Sequence, residues 1–319
     1  MHHDLYEFYG YRVTCTAPDE AWAVITRLFG APLAVAADEP EETGPWHGAA
    51  TVELTVEVTD GHGRETVPPP YFPPHWDTLD EIVIDTGGST AAVAPARHTI
   101  HLALSRDDLD DPIVWGRWLV EKAFLILTLR SDRHYGLHAG ALSVAGRAAL
   151  VTADSGVGKS TFTAWGLLRG AHFAGEDAMM RHLDDPEGRF WGYPRVGYLD
   201  PALVKGRPEL AEARTAPVPA RDKHRLEWPA AFESRLQPAV RPQALLILTR
   251  EHREVRPVRV VDALESCRSD FAAGKQDPVV LARVEDDLRE QLSGMAVFEF
   301  GLSPDLDANH ARLASVLHG

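Results

Sequence analysis

Residues 151–165, VTADSGVGKSTFTAW, limit what this chain can fold into more than any other stretch. A short apolar run, 148–152, leads straight into a glycine-bearing loop, and a helical pattern leads straight out of it. Ala153-Asp154-Ser155-Gly156-Val157-Gly158-Lys159-Ser160 keeps the spacing of a phosphate-binding loop, with alanine at a first position that needs only a small residue. Each residue type has a physical task. Gly156 and Gly158 let backbone N–H groups turn inward as an anion nest that a side chain would block. The helix that begins near Lys159 adds the positive end of its dipole. Lys159 then reaches the terminal phosphates, and the Ser160 hydroxyl takes Mg²⁺. The expected nucleotide-binding set is therefore Asp154, Ser155, Gly156, Val157, Gly158, Lys159, Ser160 and Thr161, with ATP or another nucleoside triphosphate and Mg²⁺ as the ligands. At average composition such an octad arises by chance in about two or three chains of this length per hundred, and the flanking strand and helix reduce that further.

A strand–loop–helix of this kind belongs to an α/β sheet. After residue 130 the patterns alternate accordingly. YGLHAGALSV and RAALVTA form a hairpin turned at Ala145-Gly146-Arg147, and STFTAWGLLRG is a helix ended by Gly170. HFAGEDAMMRHL is the next strand with its turn, and ALLILTR a buried strand. PVVLARVEDDLREQLSG is a helix, MAVFEFGLS a strand, and DLDANHARLASVLHG a closing helix with Asp305 or Asp307 near its start. DDPIVWGRWLVEKAFLILTLRSD is a further helix with Pro112 in its first turn.

The first 110 residues are β-rich and irregular. YEFYGYRVTCTA and ATVELTVEV alternate as strands do, with DEAWAVITRLFG as a helix between them. RHTIHLALS is another strand, on which His98 and His101 fall on opposite faces and so do not pair on a metal. VPPPYFPPHW, residues 67–76, is a proline-rich connector whose Tyr71, Phe72 and Trp76 cover a core edge. Two domains are expected: 1–110, β-rich, and 111–319, carrying the phosphate loop with helices on a mixed sheet.

A formal charge of −15 argues against nonspecific nucleic-acid binding, which needs a basic footprint. Cys15 and Cys267 are too few for a disulfide framework and lack zinc-ligand spacing, so both are expected as free thiols of the cytoplasm. MHHDLYEFYG has neither the basic nor the apolar region of a secretory signal. The apolar WLVEKAFLILTL carries Glu121 and Lys122 and is too short to span a bilayer, so no membrane partner is expected. A homo-oligomer is left open.

Two further features bear on chemistry. Glu176-Asp177 follows Lys159 by seventeen residues, room for one helix and one short strand, so the acids return to the edge of the sheet beside the loop. Adjacent acids there repel unless a cation lies between them, as the metal of a nucleotide complex does. One carboxylate then serves the metal and the other takes a proton from a substrate hydroxyl. His138 lies on the first strand of the hairpin that feeds the loop, within reach of the same edge.

LHAGALSVAGRAALVTADSGVGKSTFTAWGLLRGAHFAGEDAMM resembles the core of HPr kinase/phosphorylase and the wider HPr-kinase-like serine kinases, which share a P-loop fold with bacterial phosphoenolpyruvate carboxykinase. The likeness lies in a histidine before a small-residue strand, a hairpin, DSGVGKS, a short helix ending RG, and a paired-acid strand end. GYPR at 192–195 and the closing FEFGLSPDLDANHARLASVL extend it. The resemblance implies a P-loop kinase core in which Lys159 and the amides of 155–160 hold the phosphates. Ser160 and Asp177 would serve Mg²⁺, Glu176 would be the base on the acceptor hydroxyl, and His138 would assist near the γ-phosphate. Arg195 becomes a candidate substrate contact. FWGYPRVGYLDPAL stands where HPr kinases carry a glycine- and arginine-rich signature, which turns the resemblance toward relatives that phosphorylate a serine of a peptide in natural-product biosynthesis.

The expected activity is transfer of the γ-phosphoryl group of ATP to a hydroxyl, of serine first, on a peptide or protein acceptor. The alternatives are a kinase of a small-molecule hydroxyl or carboxylate, and a non-transferring nucleotide switch or ATPase. Arg221, Arg225, Lys223 and Lys275 are cations without an assigned place.

Overall fold

The computed structural model describes residues 1–30, 51–60, 75–77, 81–205, 207–218, 222–272, 275 and 277–318, with 75–77 as backbone alone. The chain divides into two compact units, Met1–Ser131 with Ala216–Arg221, and Asp132–Thr215 with Asp222–Gly319.

The first unit is a seven-stranded mixed sheet with helices. Its strands are β1 (His2–Phe8), β2 (Tyr11–Ala17), β3 (Thr51–Thr59), β4 (His75–Asp77), β5 (Ile82–Asp85), β6 (Thr90–Ala94) and β7 (Thr99–Ser105), in the order β1-β2-β3-β7-β6-β5-β4. YEFYGYRVTCTA is two strands rather than one: the chain reverses at Tyr9-Gly10, both at positive φ, and β1 pairs antiparallel with β2. His98 sits in a left-handed turn before β7, and His101 stands on the strand's outer face 3.3 Å from Glu57. The connector at 67–76 lies outside the described residues except for its last two positions, on β4. Helix α1 (Asp19–Phe29) lays Val24, Ile25 and Leu28 into the core and ends at Gly30, whose N–H donates to the Thr26 carbonyl.

The expected boundary at 110/111 falls instead at 131/132. The reason is packing. A π-helical stretch, Ile113–Glu121, continues into α2 (Lys122–Arg130), which belongs to the first core. Phe124 packs on Phe8 at 4.7 Å between ring centroids, and the Thr128 hydroxyl lies 3.2 Å from that of Tyr11. Pro112 precedes the helical stretch, where a missing N–H costs nothing.

The second unit carries β8 (His134–Leu137), β9 (Ala139–Val144), β10 (Arg147–Thr152), α3 (Lys159–Leu168), β11 (His172–Gly175), β12 (Met179–His182) and β13 (Phe190–Trp191). The chain goes on through β14 (Val196–Leu199), α4 (Pro201–Val204), β15 (Arg214–Pro217), β16 (His224–Glu227), β17 (Ala239–Val240), β18 (Pro242–Thr249) and β19 (Val255–Pro257). It ends with α5 (Val260–Ala272), α6 (Pro278–Ser293), β20 (Ala296–Gly301) and α7 (Leu306–His318). The central sheet has six strands in the order β11-β9-β10-β18-β20-β19, and β8, β12, β13 and β17 form a second, smaller one. Strands β10, β18 and β20 run parallel, and β9 runs antiparallel to both β10 and β11.

Both faces of the central sheet are covered. Ala149, Val151, Leu246 and Leu248 meet Phe162, Trp165 and Leu313 of α3 and α7. Ala148, Leu150 and Leu245 meet Leu264, Phe271, Val284 and Leu288 of α5 and α6. Such two-sided burial is why RAALVTA and ALLILTR read as apolar runs without alternation. Asp305 caps α7 by accepting from the Asp307 and Ala308 N–H groups, which decides between the two starts the sequence leaves open. Cys15 and Cys267 are free and buried, and burial pushes both thiols up to about 12. No helix among the described residues is long and apolar enough to cross a membrane.

Candidate functional site

The site is set by register. β9 begins directly opposite the end of β10, with Ala139 paired to Thr152, so the chain before β9 must lie beside the loop after β10. His138 occupies that place. It is not on the hairpin strand itself but at the break between β8, which belongs to the smaller sheet, and β9, which belongs to the central one. The Thr152 hydroxyl donates to its carbonyl at 3.4 Å, and its own N–H donates to Asp270 Oδ2 of α5 at 3.0 Å.

The loop 153–158 leaves β10 and enters α3 at Lys159. Gly156 and Gly158 have φ of +84° and +125°, conformations that side-chain-bearing residues rarely adopt. The first N–H groups of α3 have no acceptor within the helix and open onto this loop. Asp154 and Ser155 are exposed, Val157, Ser160 and Thr161 half-buried, and Lys159 is buried. The Lys159 ammonium folds back onto the Glu176 carbonyl, and burial lowers its pKa, partly offset by the charges of Asp177 and Glu176.

β11 brings the acid pair back beside β9, where Gly140 makes the approach possible. A Cβ there would stand 2.9 Å from the Gly175 carbonyl oxygen and 3.0 Å from Glu176 Cα. The two acids then part. Glu176 is 4% exposed; one carboxylate oxygen accepts the Tyr198 N–H from β14, and the other, Oε2, is buried with no hydrogen-bond partner among the described residues. Burial raises its pKa above the usual carboxylate value. Asp177 keeps about a third of its side chain exposed, with Oδ1 3.7 Å from Nδ1 of the half-exposed His138. Burial lowers the His138 pKa, with the charge of Lys159 adding to it, so the imidazole is neutral at pH 7.

Three groups join the site that sequence reasoning did not assign. The Lys223 ammonium donates to Ser160 Oγ at 3.0 Å, and Asp270 holds the backbone of His138. The Tyr198 N–H donates to the Glu176 carboxylate. None carries a local signal, because each comes from an element remote in sequence. Arg195 pairs with Glu233 at 3.2 Å on the surface, Arg225 is buried against Glu227 at 2.7 Å, and Lys275 donates to the His134 carbonyl at 2.6 Å. Arg221 lies outside the described residues.

Among the described residues no three His, Cys, Asp or Glu side chains converge as a self-sufficient metal site. Mg²⁺ does not require one, because it is commonly held by one or two protein oxygens together with substrate phosphates and water. The Ser160 hydroxyl oxygen already faces a cation, Lys223, so a second cation placed there by phosphates meets a suitable donor. Ser160 and Asp177 are the residues that fit that task.

No protein-family model matches the chain, and no curated protein does. In structure it is similar to the Hpr(Ser) kinase/phosphatase from Coxiella burnetii, which is 12% identical over 58% of this chain and 99% of that one, with a TM-score of 0.31. At that score the likeness carries no argument, and the case for function rests on the residues themselves.

Proposed function

We propose that this protein is a phosphotransferase that moves the terminal phosphoryl group of a nucleoside triphosphate, ATP first, to a hydroxyl. The observation that carries the reading is the convergence, at the carboxyl end of β10, of the glycine nest, Lys159 and Ser160 with Asp177 and a neutral His138. A nucleotide switch needs the nest and the metal ligand. It does not need a half-exposed carboxylate–imidazole pair beside them.

In this reading the N–H groups of 155–160 and the Lys159 ammonium bind the phosphates, and on their arrival Lys159 leaves the Glu176 carbonyl. Bound Mg²⁺, at Ser160 and Asp177, supplies neutralisation of the charge on the phosphate oxygens. Lys223, released from Ser160, supplies a second cation at the same edge. The acceptor hydroxyl gives its proton to the Asp177–His138 pair as its oxygen bonds to the γ-phosphorus, and the bond from that phosphorus to the β,γ-bridging oxygen breaks, releasing the nucleoside diphosphate. The sequence resemblance assigns the base role to Glu176. In this reading the role goes to Asp177 and Glu176 is a positioning residue, which the burial of Glu176 against Tyr198 supports. The resemblance supports serine in a peptide as the acceptor, with free small molecules as the other class.

The test is mass spectrometry of serine-containing peptides and free hydroxy amino acids after incubation with the protein and Mg²⁺·ATP, with free phosphate measured in parallel. Gain of one phosphoryl group on an acceptor, lost in Lys159→Ala, is expected. Phosphate released at enzymatic rates with no acceptor modified would instead make the protein an ATPase or switch.

A further inference from the structure

Lys223 stands in DKHRLEW, a charged segment with no motif to mark it. The fold carries it to the phosphate loop on a braced ribbon. β16 pairs antiparallel with β14, with His224 opposite Leu199 and Arg225 opposite Tyr198, so Lys223 lies one residue beyond the paired stretch. Leu199 and Leu226 share a core with Phe162 and Ala164 of α3, which holds the ribbon to the helix that begins at Lys159. Arg225 is buried and paired with Glu227 at 2.7 Å. Trp228 packs so closely on β14 that a Cβ at Gly197 would stand 2.8 Å from its ring. The same ribbon donates the Tyr198 N–H to Glu176. Packing therefore delivers Lys223 to Ser160.

The place it takes is the one assigned to the metal. Its ammonium donates to Ser160 Oγ at 3.0 Å. A hydroxyl oxygen can accept from an ammonium or bind Mg²⁺ at about 2.1 Å, but with both on one oxygen the two cations lie within about 5 Å of each other. Like charges that close repel, so the two contacts are alternatives. The acids around the loop call for a cation in either case. Asp177, Glu176 and Asp270 all act on Lys159, and Lys223 acts in turn on Lys159, Glu176 and His138. A triphosphate brings more negative charge to that neighbourhood, and a second ammonium beside Lys159 offsets part of what the metal otherwise offsets.

We propose that Lys223 stands in for the divalent cation: it lets a nucleoside triphosphate bind before Mg²⁺, and it yields the Ser160 hydroxyl when Mg²⁺ follows. This rests on the phosphate-loop reading and adds the order in which nucleotide and metal enter the site. Lys159 does not share the task, because its ammonium is held by the Glu176 carbonyl and not by the metal's own ligand. On release, the Lys223 ammonium moves to a phosphate oxygen at the same edge, a charge-assisted contact that replaces the one it gave up.

The test titrates ATP by calorimetry into the full chain, once in EDTA and once with excess Mg²⁺. Lys223→Met keeps the length of the stem and removes the charge, Lys223→Arg keeps the charge, and the thermal midpoint checks the fold of each. Wild-type protein is expected to bind metal-free ATP within about a hundredfold of Mg²⁺·ATP. Lys223→Met is expected to weaken metal-free ATP at least about tenfold and Mg²⁺·ATP by no more than about threefold, with most of the loss recovered in Lys223→Arg. The stand-in role is overturned, with the phosphate loop still standing, if wild-type protein binds ATP only with Mg²⁺ present. That outcome needs no variant. It is equally overturned if Lys223→Met weakens both forms alike or neither. If wild-type protein binds neither form, the phosphate-loop reading fails and the stand-in role with it.

Discussion

Along β3, Val52, Leu54 and Val56 are buried while Thr51, Glu53, Thr55 and Glu57 stand on the outer face; along β10, Ala148, Ala149, Leu150 and Val151 are all buried. The two sheets are alike in being mixed and differ in how they are covered. The first unit hides one face of its long strands and leaves the other to threonine, glutamate and histidine. The second sandwiches its parallel strands between α3 with α7 and α5 with α6. A strand covered on both faces can offer chemistry only at its end, and there the glycine loop and the acid pair gather. The lesson is that candidate chemistry follows the coverage of a sheet, because coverage decides where backbone N–H groups and side chains can meet a ligand.

The comparison breaks most sharply at the acids. Asp177→Asn is expected to lower kcat about 10²–10⁴-fold in the transfer assay, the usual range for loss of a proton acceptor, and to weaken Mg²⁺·ATP binding as well, because the same carboxylate serves the metal. If Glu176→Gln shows that loss and Asp177→Asn does not, the burial-based reassignment is wrong. Packing comes next. Leu150→Ala, in the sheet buried on both faces, should cost about 2–5 kcal/mol in denaturant unfolding, whereas Thr55→Ala on the open face of β3 should stay within about 0.5 kcal/mol. Equal effects would remove the distinction between the sheets.

A smaller effect concerns His138. Burial holds its pKa below the ordinary 6.5, so the neutral, proton-accepting form prevails at and above neutrality. Transfer should fall by about tenfold per pH unit only once pH drops below that depressed value, and His138→Asn should flatten this limb. The smallest effect is at Glu176, whose folded pKa is raised. Its protonated form is favoured by folding, and that stabilisation declines as pH rises through the folded pKa. Glu176→Gln, which keeps an acceptor for the Tyr198 N–H, should therefore gain in thermal midpoint over wild type as pH is raised from about 5 to about 9. A constant difference across that range would mean that Glu176 does not titrate there.

Much of the second unit is legible in the string of residues. The glycine loop, the helix after it, the buried runs at β10 and β18 and the long helix α6 are local patterns, and they sit where the patterns put them. Helix α5 buries Ala263, Leu264, Cys267 and Phe271 at helical spacing, but nothing in that local pattern announces that its Asp270 reaches the site. The reversal at Tyr9-Gly10 is hidden because its first turn residue is a tyrosine at positive φ, a conformation the sequence does not announce.

What the sequence determined by itself is the nest and its setting. Glycine spacing, a lysine and serine at a helix start, and an apolar strand before them are short-range facts, and a loop with Gly156 and Gly158 at positive φ running into α3 follows from them. What only the tertiary structure decided is which neighbours that nest acquires. Glu176 and Asp177 are adjacent and chemically alike, but neighbours at a strand end face different surroundings, so the packing of β14 over one of them made one buried and the other open. Lys223 on Ser160 and Asp270 on His138 come from segments far apart in the chain. Their meeting is set by strand order and register, which no local pattern encodes.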